Sequence, residues 1–154
     1  MNHKLDTDTQ VFFYEKEFYV LSNFSAFTLQ WEGIRFDTSE HAYHWEKFPQ
    51  HPRIQKEIQF AKSAHDALDI ANYCRGLRLP NWDDIKLEIM FNILKEKAHQ
   101  HLYVYKKLLE TGNRELIEDS WRDDFWGWGP NKDGHNHLGK IWMAIREDLR
   151  NAQQ

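Results

Sequence analysis

The stretch Phe27-Thr28-Leu29-Gln30-Trp31-Glu32-Gly33-Ile34-Arg35-Phe36-Asp37-Thr38-Ser39-Glu40-His41-Ala42-Tyr43-His44-Trp45 changes its period halfway along. Phe27, Leu29 and Trp31 alternate with polar neighbours, and so do Ile34 and Phe36. That is the two-residue period of a strand. Glu32-Gly33 between the two runs has the length and composition of a hairpin turn. From Asp37 onward the spacing is helical. Asp37 or Thr38 can cap a helix that runs to about Phe48, where Pro49 and Pro52 end it. The chain therefore mixes strand and helix in sequence.

Upstream, Val11 to Tyr14 and Phe18 to Leu21 are aromatic and β-branched and read as further short strands. Downstream the signals are helical. Pro52 opens a helix with Ile54, Ile58 and Ala61 on one face, and Ser63 with Asp66 resembles a capping box before Ala64, Leu68 and Ala71. Gly76 supplies a stop. Asn81 or Asp83 starts a longer helix with Ile85, Ile89 and Ile93 facing inward. Leu102, Tyr105 and Leu109 mark another, closed by Gly112. Leu116 to Glu118 is a candidate strand, Asp123 to His137 a loop, and Leu138, Ile141, Trp142, Ile145 and Leu149 a final amphipathic helix. The expected fold is α+β: a small antiparallel sheet at the N-terminal side packed against a mostly helical remainder. Residues 1–10 read as a polar tail and 11–150 as one domain.

Bulk composition narrows the function classes. The 154 residues are 41% hydrophobic and 29% charged, ordinary for a folded chain. Aromatic residues reach 15%, with seven Trp, which provides flat surfaces for a ring-bearing ligand or an aromatic-rich core. The net charge is −4 and there is no basic run, so general nucleic-acid binding is not expected. A local basic pocket for one nucleotide or modified nucleobase stays open. Cys74 is the single cysteine and excludes an internal disulfide. No stretch has the length of a membrane span. The expectation is a cytoplasmic protein with no membrane contact.

Four segments can carry chemistry. In Thr38 to Phe48, helical steps of three and four put Glu40, Tyr43 or His44, and Lys47 on one face. A carboxylate followed by an ammonium anchors a polar ligand, or is simply a first-turn acid and a last-turn base. His41 and His44 lack metal-ligand spacing, His135 and His137 add no recognised set, and no metal or cofactor is expected. Asp123 to Gly139 is rich in Trp, Gly and Asn, with Asn136 placed to cap the last helix. It is a binding loop for a phosphate or sugar beside a stacked base, or a tight connector with its Trp residues packed on the core. Leu21-Ser22-Asn23-Phe24-Ser25 is a polar break between apolar runs. Arg75 and Arg78 stand near a turn and either bind phosphate or are surface charge.

These pieces occur in one order. Leu21-Ser22-Asn23-Phe24, Thr38-Ser39-Glu40-His41 with Lys47-Phe48, Leu108 to Gly112, Phe125-Trp126-Gly127-Trp128-Gly129, and Asn136 to Lys140 through Met143 and Arg146 together resemble the YbiA-like (NADAR) N-glycosidase family, from about Val11 to Leu149. The resemblance implies hydrolysis of an N-glycosidic bond to ribose. The implied substrates are early riboflavin-pathway intermediates, or ADP-ribose attached to nitrogen on a nucleobase or protein. A non-catalytic ADP-ribose-binding module is the third reading. The resemblance puts the catalytic glutamate on Glu40, the motif lysine on Lys47, the Trp-Gly pair on Trp126 and Gly127 with the preceding acid at Asp124, and the motif asparagine on Asn136. Asn23, Phe24 and His44 join the expected substrate contacts. Two positions depart from the family's usual residues: His44 stands where Gln is common, and Lys97-Ala98 where Lys-Phe is common.

Overall fold

A computed structural model describes residues 6–14 and 16–153, apart from the side chains of residues 16 and 17. The first half of the expected polar tail thus lies outside the described residues. Gln10, its last residue, is already in a strand. Among the described residues there are four strands and six α-helices: β1 (Gln10–Phe13), β2 (Leu29–Trp31), β3 (Ile34–Phe36), α1 (Ser39–Trp45), α2 (Pro52–Gln59), α3 (Ala64–Tyr73), α4 (Trp82–Gln100), α5 (Leu102–Glu110), β4 (Glu115–Glu118) and α6 (His137–Ala152). The α+β class holds. The chain divides into two compact units: one spans Asn23–Gln100, and the other joins the residues up to Ser22 with those from His101 onward.

The expected single antiparallel sheet is two separate pairs. β2 and β3 form the antiparallel hairpin, with Trp31 opposite Ile34. Its turn residues Glu32 and Gly33 have φ of 53° and 76°, the mirror-type turn whose twist suits a two-residue hairpin. The other pair is parallel: β1 runs beside β4, Val11 opposite Leu116 and Phe12 opposite Ile117. A parallel partner cannot follow through a tight turn, and here it comes from about a hundred residues downstream. Val11, Phe12 and Phe13 are all buried, so β1 is covered on both faces, as parallel strands are.

Phe18 to Leu21, expected as a strand, is part of a 3-10 turn, Lys16–Leu21. Phe18 and Val20 are buried and Tyr19 is exposed, which copies a strand's alternation. Among the described residues, however, no strand pairs with it. The carbonyl of Leu21 accepts from the indole of buried Trp142 on α6 at 2.9 Å.

In the same unit α6 lies against β4. A Cβ on Gly139 would fall 2.0 Å from the Leu116 carbonyl oxygen, so only glycine lets the helix approach the strand this closely. Asn136 occupies the N-cap position with φ 52° and ψ 42°, but its side chain does not cap the helix. It turns to the strand instead: Oδ1 accepts from the Glu118 amide and Nδ2 donates to the Leu116 carbonyl, both at 2.9 Å. The side-chain amide does for β4 what a neighbouring strand would. Buried Arg146 donates to Thr111 Oγ1 at 2.8 Å and secures the turn after α5.

In the Asn23–Gln100 unit the local signals act as read. Thr38 caps α1 by accepting from the His41 amide, and Ser63 caps α3 by accepting from Asp66. Proline stands at the start of α2. α3 ends at Tyr73, ahead of the expected stop at Gly76, and a 3-10 turn at Arg75–Leu77 follows. Phe48, Ile58, Ala61, Ala67 and Ala71 form an apolar cluster that Trp45, Ile54, Ile70 and Cys74 pack against.

Candidate active site

α1 is short, and Thr38 determines where it begins. Thr38 Oγ1 accepts from the His41 amide and lies 2.7 Å from His41 Nδ1, while His41 Nε2 lies 3.0 Å from the Ala61 carbonyl. A carbonyl only accepts, so the network assigns the hydrogen to Nε2 and leaves Nδ1 to accept from the Thr38 hydroxyl. His41 is fully buried and both its ring nitrogens are engaged in holding α1 to the segment after α2.

Glu40 sits on the first turn of α1, where a carboxylate suits the helix dipole, and it is buried. Its amide donates to the Asn23 carbonyl at 3.2 Å. Asn23 is itself buried: Oδ1 accepts from the Ser39 hydroxyl at 2.9 Å and Nδ2 faces Met90 Sδ at 3.5 Å. Asn23, expected as a substrate contact, thus acts on the structure as the residue that fixes the start of α1. Phe24 beside it is exposed, with its ring 6.0 Å from His65.

One helical turn on, His44 Nε2 lies 2.6 Å from Glu40 Oε1. His44 is 2% exposed, and burial pushes its imidazole below the ordinary histidine range, against the pull of Glu40. The neutral ring donates its Nε2 hydrogen to the carboxylate. That leaves Nδ1 as a lone-pair nitrogen, buried and without a partner among the described residues.

Lys47 follows in the turn after α1. Its Nζ stands 5.2 Å from the centre of the Tyr43 ring and 5.7 Å from that of Trp82. Burial lowers the ammonium to about 8; Glu40 opposes that shift, while Arg78, Arg75 and Lys86 add to it. Tyr43 was expected on this face only as the alternative to His44, and Trp82 was not expected at all. Both are buried, their rings are 5.2 Å apart, and burial raises the Tyr43 phenol well above its usual range. The geometry therefore joins Glu40, His44 and Lys47, as the helical spacing implied, and adds an aromatic wall under the ammonium.

Lys97 on α4 is a second lysine that the spacing did not single out as buried. It is fully buried, and Nζ donates to Ser25 Oγ at 2.9 Å and stands 5.6 Å from the Phe27 ring. In sequence it continues the four-residue steps Ile85, Ile89, Ile93, and that register was the available signal. Burial lowers its ammonium to about 7. The folded pKa lies below the unfolded one, so the unfolded chain binds more protons between them. Stability on this account is lowest below pH 7 and rises as pH climbs from 7 toward 10. Melting curves over that range should show wild type gaining stability relative to Lys97→Met. Parallel curves would mean that Lys97 does not titrate in the fold.

The other expected site residues lie in the unit that holds β1, β4 and α6. Their loop is bonded to itself at many points. The amides of Gly134, His135, Asn136, His137 and Leu138 donate to the carbonyls of Trp128, Asp124, Gly127, Phe125 and Trp126. A Cβ on Gly127 would fall 2.8 Å from the Glu118 carbonyl oxygen and 2.9 Å from that of Asp123. The glycine thus serves the loop's own packing. Asp123 Oδ1 accepts from the amides of Phe125 and Trp126. Asp124 is exposed. The two tryptophans differ. Trp128 donates its indole hydrogen to Asp119 at 2.9 Å and packs 5.0 Å from buried Phe12. Trp126, half-buried like Trp128, meets Phe125 edge-on at 4.8 Å. His135 and His137 stack at 5.2 Å, with Phe125 against His137 at 4.5 Å.

Compared with known proteins, the chain matches the NADAR domain over residues 12–150. It belongs to the NADAR family. This NADAR domain is 33% identical over 145 residues to an N-glycosidase of Nostoc punctiforme, covering 92% of the chain and 93% of that protein. It is 31% identical over 144 residues to the N-glycosidase YbiA of Escherichia coli, covering 92% and 89%. The NMR structure of E. coli YbiA matches the fold with a TM-score of 0.87 at 29% identity, over 97% of this chain and 89% of that one. A riboflavin biosynthesis protein of Vibrio vulnificus is 34% identical over 142 residues; the match takes in 91% of the NADAR chain but 38% of that longer protein. Among the described residues no helix is long and apolar enough to cross a membrane.

Proposed function

We propose that the chain hydrolyses the N-glycosidic bond between a ribose phosphate and nitrogen, with an early riboflavin-pathway intermediate as its substrate. It is a hydrolase of N-glycosyl bonds, in keeping with N-glycosidase relatives aligned over nearly its whole length. The observation that carries the reading is the buried Glu40 carboxylate, held through Oε1 by His44. Breaking a ribosyl C–N bond builds positive charge on the sugar, and a fixed carboxylate stabilises that charge. His44 occupies Oε1, so Oε2 is the oxygen that takes a proton from water. The water oxygen bonds to C1 of the ribose, and the nitrogen leaves with the bonding pair and one proton. Neutral His44 holds its Nε2 hydrogen on Glu40, so the leaving nitrogen takes that proton from solvent. Lys47 anchors the phosphate or a ribose hydroxyl, and Trp126 provides a ring for stacking. Asn23, Gly127 and Asn136 act as positioning residues in this proposal, since their own groups are engaged by the fold.

The test is direct. Incubation with a 5-phosphoribosylamino-pyrimidine should release ribose 5-phosphate, and incubation with N-linked ADP-ribose on guanine or protein should release ADP-ribose much more slowly. Release from the second substrate only would replace the proposed substrate. Release from neither would sink the proposal.

A further inference from the structure

Arg75, Arg78 and Lys86 take no part in the Glu40–His44 pair, yet all three act electrostatically on Lys47. The Leu79 amide donates to the Lys47 carbonyl at 2.8 Å and ties the segment after Arg78 to the end of α1. Lys47 Nζ lies over the ring of Trp82 at the start of α4. The next residue, Asp83, accepts from Arg78 Nη2 at 3.2 Å and from Lys86 Nζ at 2.9 Å. The cations acting on Lys47 are Arg78, Arg75 and Lys86, and Glu40 is the carboxylate that opposes them. Four cations against Glu40 and Asp83 leave two positive charges in surplus, in a chain whose net charge is −4. Like charges crowded together oppose folding, so a dianion that joins them relieves the repulsion.

We propose that Lys47, Arg78 and Lys86, with Arg75 at the rim, form a subsite for a phosphate monoester, in which Asp83 holds Arg78 and Lys86 in place until the ester displaces it. The guanidinium fork of Arg78 suits two phosphate oxygens and the lysines act as point charges. A phosphomonoester carries close to two negative charges at neutral pH, which matches the surplus. The inference deepens the proposed hydrolase reading, because it gives the ribose phosphate its anchor, but its test needs no turnover.

The measurement is calorimetric titration of the full chain at pH 7 and low salt with ribose 5-phosphate, ribose, inorganic phosphate and ADP-ribose. Ribose 5-phosphate should bind at least about tenfold more tightly than ribose, and inorganic phosphate should compete with it. Arg78→Gln should weaken ribose 5-phosphate by about ten- to a hundredfold, the range for a hydrogen bond to a charged group. Asp83→Asn should tighten it by about two- to fivefold, because the internal competitor loses its charge. The Asp83 side chain is 62% exposed, so this substitution leaves the core intact. Opposite shifts in the two variants distinguish a ligand site from a structural tie, which would move both the same way. Equal binding of ribose and ribose 5-phosphate, or matched losses in both variants, would overturn the subsite. Tighter binding of ADP-ribose, also lost in Arg78→Gln, would overturn the monoester in favour of a diphosphate. If ribose 5-phosphate binds as expected and no N-riboside is cleaved, the subsite stands and the hydrolase reading falls.

Discussion

Glu40→Gln lowers turnover of the N-riboside by about a hundredfold or more and leaves the melting temperature within a few degrees of wild type. The rate effect is the contribution expected of a general base, enlarged by the loss of the negative charge facing the ribosyl cation. The fold survives because the glutamine carbonyl still accepts the Nε2 hydrogen of His44, where the carboxylate oxygen now lies 2.6 Å away. Glu40→Ala gives the contrast. It leaves His44, which among the described residues has no partner at Nδ1, with none at Nε2 either, and costs about 1–3 kcal/mol for the unsatisfied buried donor. Activity and a melting curve on both variants check the argument. A well-folded Gln variant with near-normal turnover would remove Glu40 from the mechanism.

What could be read in the sequence was what neighbouring residues decide. Thr38 and Ser63 cap α1 and α3, Pro52 opens α2, and Glu32-Gly33 turns the hairpin, because each acts within three or four residues. The Glu40–His44 contact belongs to the same class, an i,i+4 pair on one helix. Pairing at long range was not legible. Nothing near Val11 shows that its partner is Leu116, and the strand-like alternation of Phe18 to Val20 arises in a 3-10 turn packed against β1 and α5. Side-chain direction was the other gap. Asn136 stands at the expected cap position, but its left-handed backbone turns the amide toward β4. Tyr43 and Trp82 lie far apart in sequence and meet only when α1 and α4 pack. Lys97 continues the Ile85-Ile89-Ile93 steps, and that register was the sign of its burial that went unused.

Trp128→Ala destabilises the protein by about 3–5 kcal/mol, whereas Trp126→Ala costs about 1 kcal/mol of stability and weakens ligand binding by about 5- to 150-fold. The two rings are two residues apart and differ in what they touch. Trp128 packs on Phe12 of β1 and its indole is bonded to Asp119, so truncation removes a ring contact and strands a carboxylate oxygen together. Trp126 meets Phe125 edge-on, and its backbone is held without help from the ring, through Asp123 Oδ1 at the amide and the Leu138 amide at the carbonyl. Removing the ring therefore leaves those two backbone bonds in place. One melting curve and one titration with ribose 5-phosphate or a pyrimidine riboside phosphate per variant separate the roles. Binding loss in Trp128→Ala with a stable fold would put the stacking surface on the other ring. Equal stability losses in both would make each tryptophan a packing residue and leave the ring of the substrate to be held elsewhere.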